Sequence, residues 1–148
     1  MRRFTFRYES LLKVNRLRAE EAERELGEAL GSLWEAEHAL ELLRRQKREY
    51  LDALLCKKRE GAISEIQFLE GALQTINAQL EVRALRVTQA ELNVEEHRER
   101  LVEALKKAKT VELLRARDLD VYTQESAREE GRVLDEVGTS LHIRKDPS

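Results

Sequence analysis

Three histidines, one cysteine and a surplus of carboxylates are the side chains of this 148-residue sequence with chemical potential. A zinc site needs His, Cys or carboxylate ligands at short, defined spacings. His38, His97 and His142 have no such partner at ligand spacing. Cys56 has no base beside it to draw off its proton, so it reads as an inert surface thiol. Carboxylates recur one helical turn from one another or from bases, as in Glu99, Glu103 and Lys107. Such spacing makes surface pairs worth tenths of a kcal/mol, not acid–base dyads. No glycine-rich phosphate loop occurs. The basic run Lys106-Lys107-Ala108-Lys109 lacks the interleaved aromatics of a nucleic-acid surface. The expectation is therefore no catalytic residue, no metal, no cofactor, no nucleic-acid partner and no enzymatic activity.

What remains is the scaffold. Ala, Glu, Leu, Lys and Arg fill 90 positions, the compositional mark of long helices and coiled coils. Charged residues make up 38%, aromatics 5%, and the only proline is Pro147. Turn residues are too few for a sandwich or barrel. The longest uncharged apolar run, Ala53-Leu54-Leu55-Cys56, is far short of a membrane span. The basic N-terminus has no hydrophobic region after it, as a signal peptide would. A single cysteine cannot form an internal disulfide, which fits a reducing, cytoplasmic setting.

One break interrupts the helical pattern, at Glu60-Gly61-Ala62-Ile63-Ser64. Gly61 suits a left-handed C-cap. Ser64 with Gln67 suits a capping box, with Ser64 as N-cap. This predicts helix 1 over about residues 8–59, a turn at about 60–63, helix 2 over about 64–138, and a frayed tail at 139–148. The fold class is all-α, a single domain over 1–148: a long antiparallel two-helix coiled-coil hairpin with an overhanging C-terminal helix. Heptads support it. The a and d positions run from Leu12 to Leu54 in helix 1 and from Leu69 to Val111 in helix 2. Folding so that paired numbers sum to 123 matches each a with a d, and 22 of the 26 seam positions are apolar. The exceptions are Asn15, Lys47, Arg83 and His97. Lys47 and Arg83 are expected to snorkel past the seam. Beyond Arg115, helix 2 has no partner in helix 1, so residues 116–138 are expected to project alone by roughly 35 Å.

Net charge is only −2, but it is blocked along the chain. Six bases lie in residues 1–18, eight glutamates in 20–41 and seven bases in 44–59. Blocks of this size can orient docking. Several apolar side chains fall outside the a/d set: Trp34, Phe68, Leu85, Leu92 and Leu105. Phe68, expected close to Tyr50, Leu51, Leu69 and Ala72 and ringed by Lys47, Arg48, Lys57 and Lys58, has the composition of an interface anchor with a charged rim.

The ends carry a family look. The opening Phe4-Thr5-Phe6-Arg7-Tyr8-Glu9-Ser10-Leu11-Leu12-Lys13 resembles that of the flagellar export protein family FliJ. The run from Val102 to Leu114 resembles its second signature, and Leu134-Asp135-Glu136-Val137 is similar to its C-terminal end. The resemblance covers nearly the whole chain. It implies a non-enzymatic stalk and escort of the flagellar type III export apparatus, like the central stalk of rotary ATPases. The implied partners are a hexameric export ATPase (FliI-like), an export gate protein (FlhA-like) and substrate chaperones. The implied place is cytoplasmic, peripheral at the cytoplasmic face of the inner membrane, with membrane contact only through the apparatus. Family gate contacts around the hairpin end map to Leu43, Tyr50, Phe68 and Ala72, with Leu69 added by the patch. Gln46 and Gln79 depart from the family by standing where ring side chains are expected. Analogy with rotary stalks puts the other end in the ATPase ring, through Arg3, Arg7, Lys107, Lys109, Arg115, Arg117 and Tyr122. The alternatives are the equivalent stalk of a virulence type III secretion system and a self-associating structural coiled coil.

Overall fold

The computed structural model describes residues 2–145 of the chain. Two helices carry it: α1, Glu9–Glu60, of 52 residues, and α2, Ile63–Lys145, of 83 residues. The helix-forming composition and the absence of an internal proline account for their length. Each is charged to suit its dipole where it meets the turn. Lys57, Lys58 and Arg59 lie in the last turn of α1, and Glu65 in the first turn of α2.

The connection is shorter than expected. Gly61 is left-handed, with φ of +72°. The Ala62 amide donates to the Lys57 carbonyl at 3.3 Å, the six-to-one bond of a Schellman ending. The Ala62 carbonyl then accepts from the Ile66 amide at 3.0 Å, opening α2. Ala62, not Ser64, is therefore the N-cap. The residue that closes α1 also begins α2, and Ser64 already lies in the first turn. At the far end α2 continues through Gly138, where the sequence reading stopped it, to Lys145; the remainder of the tail lies outside the described residues.

Where the sequence suggests one domain, packing divides the chain into two compact units: residues 20–102, and residues 1–19 with 103–148. A two-helix seam links only neighbouring layers, as in a repeat array, so its contacts are local. In the unit of residues 20–102 the buried side chains are Ala29, Leu40, Leu43 and Leu54 of α1 and Leu73, Ile76 and Val94 of α2. In the other they are Leu12, Asn15, Ala19, Ala108, Val111 and Phe6. Every one of these except Phe6 is an a or d position. None of the 26 seam positions is exposed. Three cross-helix contacts lie within one of the 123 register, Arg115–Glu9 at 124, Arg83–Ala39 at 122 and His97–Glu25 at 122, while the longer-reaching pair Arg16–Glu112 sums to 128.

The polar seam residues behave individually. Arg83 does not run past the seam; its Nη1 donates to the Ala39 carbonyl at 2.9 Å. His97 lies within the seam, its Nδ1 3.8 Å from Glu25 and without a hydrogen bond.

Two outcomes follow from this packing. With Cys56 replaced by Ser, Ala36→Cys with Val87→Cys is expected to form an intrachain disulfide, seen as a monomer of altered mobility on non-reducing gels. Leu43→Ala is expected to lower unfolding free energy by about 2–5 kcal/mol in denaturant titration.

Candidate functional site

Exposed surfaces carry the candidate residues. No group of three or more His, Cys, Asp or Glu able to hold a metal is found among the described residues. Cys56 is exposed. His38 stacks on Trp34, ring centroids 5.1 Å apart and planes 5° apart. That contact, one helical turn along α1, covers one face of the otherwise exposed Trp34.

At the turn, Phe68 is the most exposed large apolar side chain, at 74%. A shallow open groove beside it is lined by Ala53, Lys57, Ser64, Glu65, Phe68 and Leu69. Tyr50 does not line it; it is half-buried in the seam. Leu69 and Ala72 are half-buried as well. Leu43 is 3% exposed, which removes it from the docking candidates: a d position in a seam this tight presents no surface. The rim cation Lys57 is also engaged. Its Nζ holds Glu65 at 2.9 Å and Glu60 at 3.2 Å, tying α1 to α2 across the turn. Hydrogen bonds that Lys57 donates to Glu65 and then to Glu60, with the charge of both carboxylates, raise its pKa above the ordinary 10.5.

The other candidate surface gathers where the N-terminus meets α2. Residues 2–7 are not helical. They run back along α2 beyond the start of α1. Phe4 and Phe6 alternate, so an extended segment turns both rings to one side. Phe6 packs on Leu12 and Val111 and is 8% exposed, with Phe4 against the same cluster. Phe4 meets Tyr122, centroids 5.4 Å apart, and the Tyr122 hydroxyl donates to the Arg2 carbonyl. Arg115 reaches Glu9 at 3.1 Å and lies 5.7 Å over the Phe4 ring. Helix α2 is thus covered as far as Tyr122, further than the expected limit of Arg115.

This divides the seven basic-end candidates. Arg115 and Tyr122 are committed to holding the N-terminal segment. Arg3, Arg7, Lys107, Lys109 and Arg117 are exposed, and none has a carboxylate partner among the described residues. Phe4 and Phe6 are the residues that sequence reasoning left unassigned. Their alternation was the available signal.

An all-α protein is the class these features define: one unit joins two long antiparallel helices by a tight turn, and the other lays an aromatic N-terminal segment on α2. The chain matches the family described as Flagellar FliJ protein over residues 4–147, and it belongs to that family. The family is a non-catalytic component of flagellar protein export. No curated protein and no solved structure matches the chain. Among the described residues, no helix is long and apolar enough to cross a membrane.

The clasp and the turn each give an expected outcome. Phe6→Ala is expected to lower stability by about 2 kcal/mol and to speed hydrogen exchange around residues 111–122, with little change around residues 73–94. For Lys57, a raised folded pKa means its contribution is complete below pH 10.5 and is lost as pH rises through the folded value. The stability gap between the parent and Lys57→Gln is therefore expected to be constant from about pH 6, where Glu60 and Glu65 are ionised, up to that pH and to shrink above it, as read by denaturant titration.

Proposed function

We propose that this protein is the stalk of the flagellar export ATPase and an escort between that ring and the export gate. The observation carrying this reading is the set of five exposed bases without a carboxylate partner among the described residues, Arg3, Arg7, Lys107, Lys109 and Arg117, in the same unit as the aromatic clasp. Among the nearby carboxylates, Glu9 holds Arg115 and Glu112 holds Arg16 at 3.3 Å. A slender, base-rich helical surface suits the bore of a ring of acidic complement. Weak, screened attraction lets it favour successive ring states without locking in any of them. Membership of a flagellar family favours this system over a virulence secretion system.

The second contact is the turn. Phe68 stands out of the groove edged by Ala53 and Leu69, with Leu55 and Ile63 also exposed nearby in sequence. An exposed aromatic anchor beside small apolar residues is suited to a pocket on a gate protein. Handling of substrate chaperones, and a place at the cytoplasmic face of the inner membrane, follow from the same reading.

In a reconstituted assay with the export ATPase, removal of residues 116–148 is expected to abolish stimulation of turnover. Arg3→Glu with Lys109→Glu is expected to reduce ring binding at least tenfold, and added salt to weaken the parent's binding. Phe68→Ala is expected to weaken gate binding about tenfold, equivalent to about 1.4 kcal/mol, at unchanged melting temperature. Full stimulation by the truncated chain would assign ring contact to another part of the molecule.

A further inference from the structure

The final stretch of α2 carries an apolar stripe that its own chain leaves open. Leu134, Val137 and Leu141 are 70%, 50% and 50% exposed. The N-terminal segment's contacts with α2 reach Tyr122. Ala127, Glu130, Leu134, Val137, Leu141 and Arg144 follow one another at alternating steps of three and four, the repeat that builds the intramolecular seam. Arg128, Glu129, Arg132, Asp135 and Glu136 take the opposite face. Glu130 and Arg144 make no ion pair among the described residues.

We propose that this stripe binds the same stripe of a second copy of the chain, antiparallel and about a twofold axis. The pattern is self-complementary in that direction only. Placing Leu134 opposite Val137 of the second copy makes paired numbers sum to 271. Each a then faces a d, as in the hairpin, with Leu141 opposite Glu130 and Arg144 opposite Ala127. Glu130 of one copy lies in the layer next to Arg144 of the other, and symmetry repeats the pair. The hairpin uses such an offset pair itself: Arg16 holds Glu112 at 3.3 Å although their sum exceeds the 123 register by five. Glu130 and Arg144 exceed 271 by three. A parallel, in-register pair would instead set Glu130 against Glu130 and Arg144 against Arg144, which repel. The contact spans 18 residues, about 27 Å of helix. Six seam positions per chain form a small interface, so association is reversible and concentration-dependent.

Sedimentation equilibrium of the full chain, from micromolar to near-millimolar concentration, tests this. The expected result is a monomer–dimer equilibrium. Leu134→Asp, at an exposed position, is expected to leave a monomer with the parent's circular dichroism. Glu130→Arg alone and Arg144→Glu alone are each expected to raise the dimer Kd at least tenfold, and the double exchange to restore it to within about threefold. A monomer at all concentrations overturns the proposal, as does a dimer indifferent to Leu134→Asp. A double exchange no better than either single one overturns the antiparallel register.

Discussion

The pairing of α1 with α2 over residues 20–102 depends on the way the chain turns at Gly61. A left-handed glycine lets the Ala62 amide close α1 on Lys57 while the Ala62 carbonyl starts α2. A connection that short permits one rotational setting between the two helices. A slip of one residue would turn a helix by about 100° and carry its apolar stripe out of the interface. The Lys57–Glu65 bridge adds a second fastening between the same two helices. From that setting, each unit pairs a positions with d positions: Leu43 and Leu73 are buried in one, Leu12 and Val111 in the other.

A seam of this kind limits what the protein can do. Two helices bury a stripe, not a volume, and the groove they leave beside Phe68 is open. The four polar interruptions sit where an all-apolar seam would tolerate sliding. Arg83 reaches across to the Ala39 carbonyl, and Asn15 is the one buried polar side chain. A polar group in a seam favours the register that satisfies it, at some loss of stability. His97, with its Nδ1 lacking a hydrogen bond, is the point where that satisfaction fails. What remains is surface: charge distributed in blocks and a few outward apolar side chains, the equipment of a protein that works by contact.

The clasp at the termini has a different physical basis. An extended segment of aromatics is laid on a helix, and cation–π and hydrogen-bond contacts from Arg115 and Tyr122 secure it. Two side chains that look like external contacts in the sequence are thereby consumed internally.

The helical repeat made the seam legible from the sequence. Leucines and alanines three and four apart commit a face locally, and Gly61 in an otherwise turn-free sequence marks where that face folds on itself. Contacts without a repeat were not legible. Phe6 finds Val111 across more than a hundred residues, and nothing in the non-helical segment of residues 2–7 states which surface will receive it. Leu43 could be numbered among both seam and surface residues until burial assigned it to the seam. Phe68 was separable from the core by heptad position alone, yet its neighbours were not: the groove joins it to Ala53 and Lys57 and not to Tyr50. Periodicity determines which face of a helix is buried. Only tertiary structure decides which side chains stand next to one another on the face that is not, because no local repeat constrains them there.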